Sequence, residues 1–475
     1  MYPRVLVSGV KGGVGKTTVT LAIISILKER GYRITPFKKG PDYIDSGWLS
    51  FFAERPCYNL DSFMMSSTAI IESFKVRAQN SIAIIEGNRA LFDGFDAKGS
   101  VSSAELAKLL LCPVILVVDC TKTTRSIAAV INGFVSFDSH VQIKGVVLNQ
   151  IANTRHEGII KDSIKQYCSI EVVGAIPRFS HTKMPERHMG LLPYQEHEMT
   201  EETINFIKKV SDYLDYEKIL SIAIEAPPLP EINLKEHESF ATEEFKVGVI
   251  RDRVFQFYYE ENLEEIRKYG AKVILINSLE DKTLPEVDVL YIGGGFPETN
   301  LNYLIKNTSL MEDIKQKAHM GLPIYAECGG LMYLCESIIS EEGSYPMVGL
   351  FPLKVKMFKK PQAHGYVLAQ AEKGNPFFEE GVEVRGHEFH YSKVVDYKDG
   401  IKTGFKLKRG EGILEGRDGI IFNNTLATYI HIHALGCRDW LRGIFKKAKQ
   451  YRELKNEKAS NNMPFLWKID SSTRK

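Results

Sequence analysis

The chain has 475 residues, 44% of them hydrophobic, and carries 61 lysine and arginine residues against 59 aspartate and glutamate residues. This length suits about two to four domains, and the apolar content is that of a globular chain with a large core, which argues against disorder. A net charge of +2 leaves no overall excess for binding a nucleic-acid backbone. Positive charge is concentrated only at the end, where residues 438–475 hold 11 basic and 4 acidic residues, and we interpret this basic C-terminal tail as a solvated helix.

The seven cysteines form neither a CxxC pair nor a cluster with histidine at zinc spacing. A disulfide scaffold and a structural metal are therefore not expected. The longest apolar run, 109–118, contains Pro113 and falls short of the roughly 18 residues that a membrane span needs. With no signal peptide before the first strand, we predict a cytoplasmic protein without a membrane partner.

Residues 1–224 alternate apolar runs of strand length with longer amphipathic stretches. This alternation predicts a parallel sheet covered by helices on both faces, that is, a doubly wound α/β domain. The predicted strands are 4–8, 81–86, 114–119, 144–149 and 172–176, and the predicted helices are 18–30, 102–111 and 155–167.

The pattern breaks at Glu225-Ala-Pro-Pro-Leu-Pro-Glu and the charged stretch that follows it, which predicts a linker over 225–244. Strand-like runs then resume and predict a second α/β domain over 245–437. No internal repeat relates the two domains. The predicted strands here are 246–250, 272–276, 287–292 and 323–326.

A glycine-rich loop, Gly9-Val-Lys-Gly-Gly-Val-Gly-Lys-Thr-Thr18, joins the first strand to the first helix. Such a loop directs several backbone N–H groups at one anion, with Lys16 reaching the terminal phosphates and Thr17 placed to bind Mg²⁺. With the extra lysine Lys11, this loop also resembles the loop of partitioning-type ATPases, so ATP hydrolysis by an ATPase of that class is an alternative function. The residues predicted to bind ATP are Gly12, Gly13, Gly15, Lys16, Thr17 and Thr18.

Acidic residues follow the loop at two places. Glu86 ends an apolar run, and a carboxylate at the carboxyl edge of a parallel strand is where an α/β nucleotide enzyme holds its metal. The segment 37–45 places a lysine pair beside Asp42 and Asp45. At loop positions these charges would hold a polyanionic substrate together with Mg²⁺, and a solvated turn is the alternative.

In the second domain, an apolar strand ends at Cys328, followed by two glycines and an apolar helix. This strand–nucleophile–helix turn exposes a side chain at a helix N-terminus, which favours the thiolate and lowers the pKa of the thiol. We interpret the other six cysteines as small buried hydrophobes.

A thiolate nucleophile needs a base, and histidines cluster at 386–391 and at 428–433. Alternation along a strand would place His431 and His433 on the same face, where one would orient the other. The turn at Gly294 and Gly295 follows a strand and is a source of backbone N–H donors for an oxyanion.

As a set, these motifs resemble a known family. Four segments of the second domain are similar to the cobyric-acid-synthase branch of class I glutamine amidotransferases. They are the strand–nucleophile–helix turn 326–333, the glycine turn 291–298, the segment 385–392 and Thr428-Tyr-Ile-His431. The segment 37–45, Glu86-Gly with 91–94, and 145–149 resemble the dethiobiotin-synthetase-like ATP domain of cobyrinate a,c-diamide synthases. The resemblance covers the chain to about residue 435.

The resemblance implies a P-loop NTPase-like domain fused to a class I glutamine amidotransferase-like domain. It implies that Cys328 is the glutaminase nucleophile and that His431 activates it, while His433 stands where many relatives place the glutamate of a triad. In the first domain it implies Asp45 and Glu86 as further metal and carboxylate-activation positions beside Thr17. It also implies Asn149 as an adenine contact.

The implied function is ATP- and glutamine-dependent amidation of the a and c side-chain carboxylates of cobyrinate, in cobalamin biosynthesis, through an acyl phosphate and with Mg²⁺ as cofactor. Sirohydrochlorin, its nickel complex and sirohaem are alternative macrocycles. We predict Lys38, Asp42 and Arg89 as contacts of this tetrapyrrole polycarboxylate. The expected partners are small molecules and a second copy in a homodimer, without nucleic acid.

Overall fold

The computed structural model describes residues 2–179, 186–187, 190–191, 201–231, 244–397, 400–414 and 416–460. The chain divides into two compact units, Met1–Lys235 and Glu236–Lys475. Of the predicted linker 225–244, residues 232–243 lie outside the described residues. In the described part, no helix combines the length and the apolar character that a membrane crossing requires.

The first unit alternates strands and helices along the chain. Its strands are β1 (Arg4–Gly9), β2 (Ile34–Lys39), β3 (Tyr58–Leu60), β4 (Ile82–Glu86), β5 (Val114–Asp119), β6 (Ile143–Ile151), β7 (Glu171–Pro177), β8 (Glu186–Arg187) and β9 (Gly190–Leu191). Its helices are α1 (Lys16–Glu29), α2 (Ile44–Ala53), α3 (Ser67–Arg77), α4 (Ser103–Leu109), α5 (Ser126–Phe137), α6 (Thr154–Tyr167), α7 (Glu201–Ser211) and α8 (Tyr216–Ile224).

Seven parallel strands form the sheet of this unit, in the order β3-β2-β4-β1-β5-β6-β7. The central strands β1 and β4 are buried along their whole length, as expected for a parallel sheet covered on both faces. Because β1 and β4 are neighbours, with Val7 paired to Glu86, the glycine-rich loop and Glu86 emerge at one edge. The predicted parallel sheet is confirmed.

The second unit contains more strands than its sequence pattern predicted. Its strands are β10 (Phe245–Ile250), β11 (Ala271–Ile276), β12 (Val289–Ile292), β13 (Ile324–Glu327), β14 (Cys335–Ser340), β15 (Gly343–Pro346), β16 (Phe351–Met357), β17 (Ala363–Ala371), β18 (Glu383–His390), β19 (Ser392–Tyr397), β20 (Thr403–Arg409), β21 (Arg417–Phe422), β22 (Thr425–Thr428) and β23 (His431–Ile432). Its helices are α9 (Glu260–Lys268), a 3₁₀ turn (Pro297–Thr299), α10 (Leu301–Leu304), α11 (Thr308–His319), α12 (Gly329–Leu334) and α13 (Arg438–Ser460).

One ten-stranded sheet organises this unit, in the order β11-β10-β12-β13-β22-β21-β20-β17-β18-β23. The first five strands are parallel, and the strands beyond β22 continue the sheet in antiparallel fashion. The antiparallel pairing of β18 with β23 sets His387 opposite His431. A second sheet has the order β15-β14-β16-β19.

The basic segment after residue 437 was expected to form a solvated helix. It does begin as a helix, α13, but one side of this helix is buried. Trp440, Leu441, Ile444 and Phe445 are buried in the core of the second unit, and Arg452 pairs with Asp288. The helix is amphipathic, so its basic residues and its core residues occupy different faces. Residues 461–475 lie outside the described residues.

Candidate active sites

The turn from β13 into α12 presents Cys328 in an unusual backbone conformation. Its φ of 48° and ψ of −101° lie where a residue other than glycine is strained, at a cost of about 1–3 kcal/mol. The Cys328 N–H donates to the Thr428 carbonyl at 2.7 Å, which ties the turn to the end of β22. Strain of this kind is typical of functional positions, because the surrounding structure must hold it.

Cys328 is only 6% exposed, and its Sγ lies 4.0 Å from the Phe389 carbonyl oxygen. Burial raises the pKa of this thiol and the charge of Glu298 adds to the rise, which outweighs the nearby Gly329 N–H. The predicted lowering of the pKa by the helix N-terminus is therefore wrong for this state. A protonated thiol makes a neighbouring base necessary for attack.

The glycine turn lies against His431 and against Gly329, the residue that follows Cys328. A Cβ added to Gly294 would stand 2.5 Å from Cε1 and 3.3 Å from Nε2 of His431. A Cβ added to Gly329, next to Cys328, would stand 2.9 Å from the backbone nitrogen of Gly295. The structure thus brings together the predicted nucleophile, the predicted base and the predicted oxyanion turn.

Glu327 is a site residue that sequence reasoning missed. It is fully buried, and its Oε2 lies 3.3 Å from Nδ1 of His431. Its position in the sequence carried a signal, because a carboxylate that ends an apolar strand had already marked Glu86.

His433 is not placed to orient His431. Strand β23 ends at Ile432, so the alternation that would put both histidines on one face does not extend to His433. The His433 ring packs on Tyr259 with centroids 4.7 Å apart, and its Nε2 lies 3.7 Å from Oε1 of Glu261 on α9. The two histidines therefore have different acidic neighbours.

A second buried histidine lies on the face of His431. The rings of His387 and His431 are stacked, with centroids 4.9 Å apart and an interplanar angle of 19°. Nδ1 of His387 is 3.2 Å from the Tyr259 hydroxyl. Burial and the neighbouring His431 hold the pKa of His387 well below its usual range, so His387 is neutral at physiological pH.

In the first unit, the glycine-rich loop has room for an anion. A Cβ added to Gly12 or Gly13 would meet nothing within 4 Å, and Gly13 and Gly15 have φ values of 72° and 90°. Helix α1 begins at Lys16, so its first N–H groups point into this loop, as expected for phosphate binding. Burial and Lys38 lower the pKa of Lys16.

Asn149 supports this loop from below. Its Nδ2 donates to the Val14 carbonyl at 2.8 Å, and its Oδ1 accepts from the Gln150 N–H at 2.9 Å. A Cβ on Gly15 would stand 2.5 Å from the same Nδ2. Since both ends of the amide bind backbone groups, the structure gives Asn149 a role in shaping the loop, and its contact with adenine stays a prediction.

The predicted metal-binding oxygens lie beside one another at the end of β4. The Thr17 hydroxyl donates to Oε1 of Glu86 at 2.7 Å. Glu86 is fully buried, and its Oε2 has no hydrogen-bond partner among the described residues. Hydroxyl and carboxylate oxygens suit Mg²⁺, which typically takes one or two carboxylates together with phosphate oxygens. The described residues contain no group of three or more His, Cys, Asp or Glu side chains arranged for a metal, which such a site does not require.

Lys38 is a buried cation that pairs with the carboxylates of Asp45 and Glu86. Its Nζ donates to Oδ2 of Asp45 at 2.6 Å and to Oε1 of Glu86 at 2.9 Å. Burial alone would lower the pKa of Lys38, but Asp45 and Glu86 hold it well above its usual range. The pKa of Asp45 is lowered, because Lys38 overcomes the effect of burial. Burial raises the pKa of Glu86 although Lys38 opposes this effect.

Lys38 does not lie in a loop as expected, and its contact with the macrocycle stays a prediction. Lys38 lies in β2 and is 1% exposed, because the segment taken for a charged loop is a buried strand as far as Lys39. Asp42 shapes the turn that follows: its Oδ1 accepts from the Asp45 N–H at 3.0 Å. Burial and Asp45 raise the pKa of Asp42 to about 7.

Arg89 is the exposed member of the three predicted substrate contacts. It follows β4 with a left-handed φ of 52°, and its N–H donates to Oδ1 of Asn88 at 2.9 Å. A strained, exposed cation three residues after Glu86 is placed to meet an anion at the same edge of the sheet.

Comparison with known proteins gives matches over both units. Residues 5–192 match the CobQ/CobB/MinD/ParA nucleotide binding domain, and residues 246–438 match the CobB/CobQ-like glutamine amidotransferase domain. A cobyrinate a,c-diamide synthase of Archaeoglobus fulgidus is 43% identical over 451 residues, which cover 94% of this chain and 97% of the relative. Another from Magnetococcus marinus is 38% identical over 445 residues, covering 92% and 95%. These matches confirm the predicted pairing of a nucleotide-binding domain with a glutamine amidotransferase domain.

Proposed function

Because the chain belongs to the cobyrinate a,c-diamide synthase family and is a glutamine-dependent ligase, we propose that it converts the a and c carboxylates of cobyrinate into amides with ATP and Mg²⁺. The observation that carries the proposal is the presence of two complementary sites in one chain. The Cys328 site is suited to release ammonia from glutamine, and the site at Glu86 is suited to activate a carboxylate.

Glutamine hydrolysis begins with attack of the Cys328 sulfur on the amide carbon of glutamine. Since the resting thiol is protonated, His431 takes the proton as the C–S bond forms and gives it to the departing ammonia. The backbone N–H groups around Gly294 and Gly295 would stabilise the negative oxygen of the tetrahedral intermediate. Water then cleaves the thioester and releases glutamate.

In the first unit, an oxygen of the substrate carboxylate attacks the γ-phosphorus of ATP, and ADP leaves. Ammonia then attacks the acyl phosphate and expels phosphate, so that an amide replaces the carboxylate. Lys16 and the loop N–H groups would hold the phosphates in line with the attacking oxygen. Thr17, Asp45 and Glu86 would hold Mg²⁺, which neutralises developing charge on the phosphates when bound.

The choice of cobyrinate over sirohydrochlorin, its nickel complex or sirohaem is supported by the names of the relatives. Arg89 is the residue that we propose for binding a side-chain carboxylate, because it is exposed at the carboxyl edge that carries Glu86. Lys11 pairs with Asp119 of the same chain at 3.2 Å. A partitioning-type ATPase would leave the amidotransferase domain, residues 246–438, without a role.

A pair of nitrogen donors tests this proposal. The enzyme and its Cys328→Ser variant are incubated with ATP, Mg²⁺, each macrocycle in turn, and either glutamine or ammonium, and amides are detected by mass spectrometry. We expect two amides on cobyrinate, loss of glutamine-dependent turnover in the variant, and unchanged turnover with ammonium. Cys168→Ser, at a partly exposed cysteine outside both sites, is the matched control. Amidation of another macrocycle alone would reassign the substrate, and glutamine-dependent turnover by the variant would contradict the mechanism.

A further inference from the structure

A buried carboxylate precedes the nucleophile and contacts the base. We propose that Glu327 completes the glutaminase site as its positioning acid, orienting the imidazole of His431 and stabilising its protonated form. This inference rests on the proposed hydrolysis of glutamine by Cys328 and His431. It assigns to Glu327 the part that the resemblance places two residues after the histidine, where this chain has His433.

The contacts of Glu327 fix both carboxylate oxygens. Oε2 lies 3.3 Å from Nδ1 of His431 and accepts from the Tyr291 hydroxyl at 3.2 Å. Oε1 accepts from the N–H of Ile432, the residue after the base, at 3.3 Å. Because both the ring and the adjoining backbone are bound by the same carboxylate, Glu327 sets the position of His431 as well as its charge.

These contacts also assign the two ring nitrogens of His431. A proton on Nδ1 can be shared with Glu327, which leaves the lone pair on Nε2. Cε1 and Nε2 lie 2.5 Å and 3.3 Å from the position of the Cβ that Gly294 lacks, so this edge of the ring faces the glycine turn. The nitrogen that must accept a proton therefore lies toward the glycine turn, and the nitrogen that must be held lies toward the carboxylate.

The electrostatic need for an acid is clear from the surroundings of His431. Its ring lies against the neutral His387 in a buried site, and a low-dielectric environment disfavours imidazolium unless an anion is close. Glu327 is itself fully buried and accepts a hydrogen bond from the Tyr291 hydroxyl. A positive charge on His431 during turnover is the charge that this carboxylate can compensate.

The other buried histidine–carboxylate pair, His433 with Glu261, does not serve as well. Its atoms are 3.7 Å apart, and Nδ1 of His433 accepts from the Leu435 N–H at 3.3 Å. The His433 ring packs on Tyr259, and the Tyr259 hydroxyl lies 3.2 Å from Nδ1 of His387. We therefore assign the positioning role to Glu327 and a packing role to His433.

The test compares Glu327→Gln and Glu327→Asp with Glu265→Gln, another buried glutamate of the second unit, which pairs with Lys268 on α9. Glutamine keeps the acceptor oxygen for Ile432 but removes the charge. We expect Glu327→Gln to lower kcat/KM for glutamine hydrolysis about 10- to 1,000-fold, with unchanged ammonium-dependent amidation. The acidic limb of its pH–rate profile should move to lower pH by about one to three units, because imidazolium loses its anion. Glu327→Asp should recover part of the rate, and Glu265→Gln should match the parent enzyme.

The outcomes separate this inference from the proposed function. If the parent enzyme hydrolyses no glutamine, the proposed function fails. If the parent is active and Glu327→Gln keeps both its rate and its pH profile, the assignment of Glu327 is wrong. A rate loss without a shift of the acidic limb also overturns it, because a merely structural role would not couple to the titration of His431. Should Glu327→Gln also lose ammonium-dependent activity through misfolding, Glu327→Asp decides, because its shorter side chain holds the carboxylate farther from His431. Slower glutamine hydrolysis with the acidic limb at lower pH would support the assignment, and a parental rate and pH profile would overturn it.

Discussion

Replacing Lys38 by methionine would remove a buried cation from among carboxylates. Nζ of Lys38 lies 2.6 Å from Asp45, 2.9 Å from Glu86 and 3.7 Å from Asp42, and methionine has a similar length without the charge. Removing one partner from a buried ion pair costs about 3–5 kcal/mol, because an uncompensated charge remains. We therefore expect Lys38→Met to lower the free energy of unfolding of the first unit by this amount.

The loss should depend on pH with a definite sign. In the parent, Lys38 lowers the pKa of Asp45 in the folded state. The ion pair therefore stabilises the fold fully at pH values above the pKa of Asp45 in the unfolded chain, and this stabilisation is lost as the pH falls through the lower pKa of the folded state. In the variant, burial without Lys38 raises the pKa of both Asp45 and Glu86, so the folded state binds protons that the unfolded chain releases. The stability of the variant then falls as pH rises from about 4. The difference between parent and variant should be larger at pH 8 than at pH 5.

Calorimetry and urea unfolding of the full chain at both pH values would measure this difference. The matched control is Lys39→Met, the next residue of β2, which is also buried but whose pKa is lowered by burial despite Asp61. Mg²⁺ with ATP should restore part of the loss in Lys38→Met, because a divalent cation neutralises the same carboxylates. If the two variants are equally stable and neither depends on pH, the assignment of Lys38 as the neutralising cation is refuted.

Three further outcomes follow from the two sites. Gly294→Ala should lower glutamine hydrolysis about 100-fold while sparing ammonium-dependent amidation, because the added Cβ would lie 2.5 Å from His431 and a displacement of about 1 Å can cost this much activity. Activity equal to that of the parent would place the base elsewhere. Gly158→Ala is the control, because an added Cβ there would meet nothing within 4 Å. Since burial raises the pKa of the Cys328 thiol, the rate of its alkylation by iodoacetamide in the absence of glutamine should rise steadily between pH 7 and 9. Peptide mass spectrometry would measure this rate. A rate that reaches a plateau near pH 7 would indicate that the resting sulfur is a thiolate. Thr17→Ala should lower ATP-dependent amidation about 10-fold or more and raise the Mg²⁺ concentration needed for half-maximal activity, without changing glutamine hydrolysis. If the variant needs the same Mg²⁺ concentration as the parent, Thr17 is not a ligand of the metal.

Most parallel strands of both units were predictable from the sequence, because strands that are buried on both faces are usually apolar along most of their length. Strand β5, for example, has the predicted bounds 114–119. Strand β2 was not recognised, because its residues Lys38 and Lys39 read as a charged loop. Their burial depends on Asp45, Glu86 and Asp61, which approach only in the folded chain, so local charge could not reveal it.

The antiparallel half of the second sheet was also missed. Strands such as β17 and β18 mix buried residues with partly or fully exposed ones, so they lack the continuous apolar runs that marked β10 and β12. The geometry of His433 was unpredictable for a related reason. Alternation applies only while a strand continues, and β23 ends at Ile432, a boundary that the sequence of residues 428–433 does not indicate.

The two units use the same arrangement for different chemistry. In each, a fully buried glutamate ends a parallel strand of the sheet, Glu86 on β4 and Glu327 on β13. At such a position the strand holds the backbone while the side chain reaches the groups that gather at the carboxyl edge. Glu86 meets a lysine and a hydroxyl there, which suits a metal and phosphates, whereas Glu327 meets an imidazole, which suits proton transfer. Both carboxylates to which we assign roles thus share the position at a strand end, and their neighbours, which come from distant parts of the sequence, distinguish the chemistry that we propose for each.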